Sequence, residues 1–328
     1  MNPSPLEAIA RVLQHIPDGV CTNTSPQQAG VQTPFLSQAI DVRLQGKGML
    51  THYTILPGVE ATFLCLLTDT VQFSHDPLAH VLEIYYCRRG RAGWNLDDGT
   101  TLYLGEGDLT WHTMDRCADS AMLFPLGYSE GLSLSLDLVT FAAHLPPFLA
   151  EAGIDVRRLR EKLCTQPATI TETTAVRTIF EPLFDLPETW RPVYLRLKFA
   201  ELLLFLWRWE PQSTSVNRLP SQQTALVKEI HDHLLAHLDQ RFTAAELSAR
   251  YPISRTTLKN VFKQIYGQPL GHYMKTARVQ TACRLLSESD ASIAEIAAQV
   301  GYETQSKFTQ AFKAVTGILP KDYRKRHH

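Results

Sequence analysis

Residues 292–324 read SIAEIAAQVGYETQSKFTQAFKAVTGILPKDYR, and the chain carries a closely similar pattern roughly fifty residues earlier. Ser292 and Glu295 correspond to Thr243 and Glu246. Each pair is a Ser/Thr-x-x-Glu capping box, in which the hydroxyl and the carboxylate satisfy free backbone N–H groups at a helix start. Further matching positions are Phe262-Lys263 and Gly267, which return as Phe312-Lys313 and Gly317. The repeat predicts that one structural unit occurs twice.

Each unit is predicted to be a short helix, a tight turn and a longer helix. Apolar residues on both sides of the turn hold the two helices at a steep angle, which leaves the outer face of the second helix free for the major groove of DNA. Residues 269–287 predict one long helix between the units. Such a rigid connection can hold two recognition helices about 34 Å apart, one helical turn of DNA.

These residues resemble a known family, the AraC/XylS regulators, over about residues 221–326. The matching positions are Ile293 to Tyr302, Ser306-Lys307-Phe308, Phe312-Lys313, Gly317, Pro320 and Tyr323-Arg324. The resemblance implies that exposed residues early in each second helix contact DNA.

The chemistry of these exposed positions fits that role. Gln and Asn can pair with adenine, Lys with guanine, and Thr methyl groups can contact thymine. Arg255, Lys263, Lys313 and Arg324 are better suited to phosphates, which position the protein without specifying sequence. The predicted DNA contacts are Arg255, Thr256, Lys259, Asn260, Lys263, Thr304, Gln305, Ser306, Lys307, Thr309, Gln310, Lys313 and Arg324.

Charge and composition agree with a partner that is double-stranded DNA. From Ser221 onward the chain has 15 Lys and Arg against 9 Asp and Glu, whereas the preceding residues are net acidic. We find no apolar run near the ~20 residues that span a bilayer and no signal-peptide pattern, so we expect no membrane association. Six scattered cysteines without a CxxC pair are typical of reduced thiols in a cytoplasmic protein.

The first half of the chain is β-rich, and the overall prediction is an α+β protein. Short β-prone runs separated by turns, among them 81–87, 100–104 and 109–113, predict a barrel or sandwich. Helices are expected at about 138–210, followed by a polar, proline-bracketed linker at 211–220. The predicted domains are therefore 1–210, for ligand sensing and dimerisation, and 221–328, for DNA binding. Four motifs carry a resemblance in this part: Leu82 to Gly90, Tyr103 to Leu109, Phe124 to Tyr128 with Glu130-Gly131, and Tyr194 to Phe205. Through them, residues 1–210 resemble the cupin-like jelly-roll sensor of AraC-type regulators, in the subgroup of the pyochelin-type siderophore regulator.

That resemblance implies a small-molecule inducer, for example an iron–siderophore complex. Aromatic residues in a barrel can hold a planar or apolar ligand, and the candidates are Tyr85, Trp94, Tyr103 and Trp111. His80, Glu83 and His112 raise the question of a metal, but the β-rich part lacks a paired HxH motif. We therefore predict no metal, no cofactor and no catalytic residues.

The leading hypothesis is a ligand-responsive regulator, an activator in the family's usual mode, with a homodimer and RNA polymerase as expected partners. One alternative is a cupin-type metal enzyme fused to a DNA-binding domain. Another is a constitutive DNA-binding protein whose first domain only dimerises. The apolar helix predicted at 192–209 fits either packing on the β-domain or a shared dimer interface.

Overall fold

The computed structural model describes residues 4–25, 41–74, 78–210 and 218–327. The chain divides into two compact units, Met1–Leu219 and Pro220–His328. Most of the predicted linker, residues 211–217, lies outside the described residues. Its last part differs from the prediction, because Arg218–Pro220 form a strand at the edge of a sheet. There Arg218 donates hydrogen bonds to Asp98 (3.1 Å) and to the Pro167 carbonyl (2.7 Å).

Two sheets form the first unit. The strands are β1 (Cys21–Thr24), β2 (Asp41–Leu44), β3 (Lys47–Leu56), β4 (Val59–Leu67), β5 (Thr70–Ser74), β6 (Val81–Gly90), β7 (Ala92–Leu96), β8 (Thr100–Leu104), β9 (Leu109–Thr113), β10 (Cys117–Leu123), β11 (Ser129–Asp137), β12 (Ala168–Ile170) and β13 (Arg218–Pro220). One sheet has the order β1-β3-β4-β11-β6-β9-β12, and the other has β13-β8-β7-β10-β5-β2. The sheet-rich character of this region confirms the coarse prediction.

The helices of the first unit are α1 (Pro5–Val12), α2 (Leu138–Ala143), α3 (Pro147–Glu151), α4 (Val156–Leu163), α5 (Thr174–Phe180) and α6 (Arg191–Arg208). The helical region expected at about 138–210 begins with three short helices, α2, α3 and α4. Pro146 and Pro147 separate the first pair, and Gly153, at φ 79°, separates the second.

The larger sheet is buried on both faces, and alternation along its strands assigns each side chain to a face. In β6, Ile84 and Tyr86 join the core that packs against the helices, whereas Tyr85 and Cys87 join a core shared with the second sheet. In β11, leucines at 132, 134 and 136 face the helices. The serines between them face the other way, so this sheet has a polar stripe on its inner face.

The second unit is helical, as predicted for a double helix-turn-helix domain. Its helices are α7 (Ser221–Ala236), α8 (Ala244–Arg250), α9 (Arg255–Tyr266), α10 (Leu270–Glu288), α11 (Ile293–Gln299), α12 (Gln305–Thr316) and α13 (Pro320–His327). The second repeat has a core around Phe308 and Phe312, to which α10 contributes Val279, Ala282 and Leu286. The connecting helix is thus part of the packing that holds the second repeat.

Candidate nucleic-acid interface and internal cavity

Both predicted capping boxes are present. Glu246 accepts from the Thr243 backbone N–H at 2.7 Å, and Glu295 accepts in the same way from Ser292 at 2.7 Å. These backbone hydrogen bonds are the main reason that the pKa of each glutamate lies below its usual value. The caps fix where α8 and α11 begin, and therefore how the following turns start.

The second helices of the two repeats, α9 and α12, end in the same way. Gly267 and Gly317 adopt left-handed conformations with φ of 78° and 79°. Their N–H groups donate to the carbonyls of Lys263 and Lys313, each at 2.8 Å. Residues with a Cβ atom are strained at such φ values, and this explains why both repeats have a glycine at this position.

The predicted DNA contacts of α9 lie together on its outer side. All five side chains are exposed: Arg255, Thr256, Lys259, Asn260 and Lys263. The opposite side of α9 buries Leu258, Val261 and Phe262. This division leaves one polar, cationic face of the helix in solvent.

The predicted contacts of α12 have the same arrangement. The exposed residues are Thr304, Gln305, Ser306, Lys307, Gln310 and Lys313. Thr309 is half-buried, and Lys307 forms an exposed ion pair with Glu303 at 2.6 Å. Such exposed pairs contribute little, so Lys307 can exchange this partner for a phosphate or a base.

Arg324 differs from the other predicted contacts. It is half-buried on α13, and its guanidinium donates a hydrogen bond to the Ala291 carbonyl just before α11. The structure thus gives Arg324 a role in holding the second repeat, which the sequence did not suggest.

Sequence reasoning missed two arginines next to the α9 face. Arg241 and Arg278 line a groove together with Lys259, Asn260 and Lys263. Burial and then the nearby charge of Arg241 lower the pKa of Arg278. Neither arginine lies on a predicted recognition helix. The only signal for them in the sequence was the net positive charge of residues 221–328. The groove is therefore a second source of positive charge beside α9.

A shallow concave surface also accompanies α12. It is lined by Gln305, Ser306, Thr309, Gln310, Lys313 and Leu319. The exposed polar faces of α9 and α12 therefore each border a depression of the surface.

Three hydrogen bonds tie α10 and the second repeat to the segment just before the first repeat. Arg278, on α10, donates to the carbonyls of Leu238 (3.0 Å) and Gln240 (2.6 Å) before the first repeat. Arg241 donates to the carbonyl of Gly301 in the second repeat at 3.3 Å. The 19 residues of α10 give a rod about 28 Å long.

The first unit contains a cavity of about 100 Å³ between its sheets. Among the predicted ligand residues, Tyr85 and Trp94 line it, with ring centroids 5.1 Å apart. Tyr103 is buried elsewhere, beside Gly93. Trp111 is 1% exposed and faces the helices, where it packs edge-on against Trp209.

The residues raised as metal ligands are only partly brought together. Glu83 pairs with His112 across β6 and β9, and both line the cavity, but His80 does not. Within the described ranges, no three His, Cys, Asp or Glu side chains are grouped so that they could hold a metal ion. Also within those ranges, no helix combines the length and hydrophobicity of a membrane-spanning segment.

The second unit is similar in sequence to known proteins. Residues 247–326 match the family model described as a helix-turn-helix domain. A protein of Streptomyces lividans named as an AraC-like transcription regulator is 42% identical over 84 residues, which are 26% of this chain and 28% of that protein. The transcriptional activator AarP of Providencia stuartii is 28% identical over 102 residues, which are 31% of this chain and 76% of AarP.

The solved DNA-binding domain of AdpA, in complex with a target DNA, is 31% identical with a TM-score of 0.30, over 31% of this chain and 91% of that one. The match to the Streptomyces protein spans less than a third of that relative's length. The repeated caps, turns and exposed helices define the second unit as a double helix-turn-helix domain. In this domain the chain is similar to an AraC-like transcription regulator.

Proposed function

We propose that the chain is a transcription regulator that binds specific double-stranded DNA through α9 and α12. The observation that carries this proposal is the pair of exposed polar helix faces, each beside a concave surface, linked by α10. Phosphate contacts from Arg255, Lys263 and Lys313 would position the domain, and Gln305 or Asn260 would read bases.

The test begins with duplexes selected from a random library by the full chain. Lys263→Ala should weaken binding to the selected duplex and reduce the slope of log K against log salt by about one, because one phosphate contact is lost. Arg157→Ala is the matched control, since Arg157 is an exposed cation in the first unit. The proposal fails if no duplex is enriched or if both variants bind like the parent chain.

For the first unit we infer a cupin-like ligand sensor, with the inducer in the cavity beside Tyr85 and Trp94. Two mainly antiparallel sheets that enclose a lined cavity support this role. Pockets for drug-sized ligands measure about 300–1,000 Å³, so a cavity of about 100 Å³ does not favour an iron–siderophore complex. The inducer that we propose for this cavity is therefore smaller than an iron–siderophore complex.

We also infer a homodimer through α6. The outer side of this helix exposes Val193, Leu197 (61% exposed) and Leu204, and Trp190 is exposed just before its first residue. From Val193 through Leu197 and Ala200 to Leu204 the spacing alternates between four and three residues, as in a coiled-coil seam. Sedimentation of a Leu197→Glu variant as a monomer, with a dimeric parent, would support this interface.

Activation of transcription, with RNA polymerase as partner, is part of the same proposal, because one of the similar proteins is named an activator. Action on DNA would place the protein in the cytoplasm. We propose no catalytic activity for the chain.

A further inference from the structure

The cavity of the first unit has one apolar and one polar side. The apolar side includes Leu50, Leu64, Phe73, Tyr85, Trp94 and Met122 from both sheets, together with Met114, which follows β9, and Cys117, which begins β10. The polar side follows neighbouring strands of the larger sheet and consists of His52, Thr62, Glu83, His112, Ser133 and Ser135. A ligand that fills this space must match both surfaces.

Two polar atoms of the cavity lining have no hydrogen-bond partner within the described residues. His52 is 4% exposed, and its Nδ1 is hydrogen-bonded to the Thr62 hydroxyl at 2.8 Å, which leaves Nε2 unpaired. Glu83 accepts from the Ser133 hydroxyl at 3.0 Å through Oε2, which leaves Oε1 unpaired and shielded from solvent. Buried polar atoms are ordinarily paired, so these two point to a partner inside the cavity.

The distribution of charge limits what that partner can be. The cavity lining contains no Lys or Arg among the described residues, so a bound carboxylate or phosphate would lack a counter-charge. Burial raises the pKa of Glu83 to about 7, although hydrogen bonds from Ser135 and Ser133 act to lower it, and burial lowers the pKa of His52 to about 4. Both environments therefore favour uncharged groups over ions.

The size of the cavity sets the second limit. An apolar protein cavity of about 150 Å³ accommodates benzene, so a space of about 100 Å³ limits the ligand to a molecule of about one ring, of the size of phenol. The rings of Tyr85 and Trp94 and the flexible side chains of Met114 and Met122 provide a surface for its apolar part.

We propose that this cavity binds a compact, uncharged molecule with an apolar body and a hydroxyl or carbonyl group that hydrogen-bonds to Glu83 and His52. That such a ligand regulates transcription rests on the proposed function, whereas its binding to the cavity does not. Glu83 can accept a hydrogen bond from a hydroxyl or, when protonated, donate one to a carbonyl.

The experiment measures the melting temperature of the full chain with four probes at equal concentration: phenol, cyclohexanone, benzoate and benzylamine. A ligand that binds the folded form stabilises it according to its concentration relative to its Kd. Phenol or cyclohexanone should raise the melting temperature by several degrees, and the two ions should leave it within one degree. A rise with benzoate or benzylamine that equals or exceeds that with the neutral probes, or no rise with any probe, overturns the proposal.

Two variants of Glu83 test the hydrogen bond by titration calorimetry with the stabilising neutral probe. Glu83→Met removes the polar atom and should weaken binding at least tenfold, whereas Glu83→Gln retains hydrogen bonding and should stay within threefold. Glu161→Gln, at an exposed site on α4, is the control. Equal affinity in all variants would contradict the assigned contact, and the conservative variant keeps the test valid if Glu83→Met does not fold. No DNA is present, so failure of DNA binding would leave this result unchanged.

Discussion

Gly301 packs directly against the carbonyl of Leu238, so closely that a Cβ atom at position 301 would overlap the carbonyl oxygen. Gly301 lies in the turn of the second helix-turn-helix, and Leu238 lies just before the first. The φ of Gly301 is 78°, a value that side chains rarely adopt. This contact therefore sets how closely the second repeat approaches the segment between α7 and α8.

Gly301→Ala should destabilise the second unit by roughly 2 kcal/mol or more, because it combines backbone strain with a clash against backbone atoms. Urea unfolding followed by circular dichroism measures the change. Gly271→Ala is the matched control: Gly271 lies in α10 with open space around its Cβ position, and alanine there should be neutral or slightly stabilising. Equal stability of the two variants would contradict the proposed contact.

Gln305→Ala should weaken binding to the selected DNA site much more than binding to random DNA. Gln305 is exposed in the first turn of α12, where a side chain can reach base edges. Competition titrations with both duplexes provide the measurement. Equal losses on both would show that Gln305 positions the protein rather than reads the sequence.

Lys313→Ala should weaken both duplexes alike and flatten the salt dependence. Lys313 is exposed in the last turn of α12 and lines the same concave surface as Gln305. The loss of one phosphate contact reduces the slope of log K against log salt by about one. A selective loss on the preferred site would instead assign Lys313 to base recognition.

Glu83→Gln should change how stability depends on pH. The pKa of Glu83 is about 7 in the folded chain against 4.5 for the free side chain, so its favourable contribution is complete below pH 4.5 and is lost as the pH rises to about 7. Glutamine does not ionise, so the variant should match the parent near pH 4.5 and exceed it at pH 8 by on the order of 3 kcal/mol.

Unfolding free energies of both proteins from pH 4.5 to 8 test this prediction. His52 has the opposite window, since its lowered pKa means that stability is lost as the pH falls from 6.5 to about 4. His52 is present in both proteins, so its effect largely cancels in their difference. A difference that does not grow with pH would contradict the assignment of a buried, poorly solvated carboxyl group.

The helices of the second unit were predictable because their ends are encoded locally. Ser292 with Glu295 and the left-handed Gly317 specify boundaries without reference to distant residues. The roles of Arg241 and Arg278 depend on contacts with residues far away in the sequence, so they required the folded structure.

In the first unit, many strands were predictable but the direction of their side chains was not. Trp111 and Tyr85 are both strand aromatics, yet Trp111 is paired with Ile84, whose side chain faces the helices, whereas Tyr85 faces the cavity. The face is set by strand register, and a shift of one residue reverses it. Strand β11, between β4 and β6, was missed although the Leu-Ser alternation LSLSLD at residues 132–137 is a strand signal.

Hydroxyl-radical footprinting of the full chain on its selected duplex tests the central claim, that α9 and α12 occupy neighbouring major grooves on one side of the DNA. For each bound domain we predict two protected patches on the same face of the duplex, centred about 10 base pairs apart. Lys263→Ala should reduce the protection of one patch, and Lys313→Ala should reduce the protection of the other. A single patch, or two patches on opposite faces of the duplex, would contradict the claim.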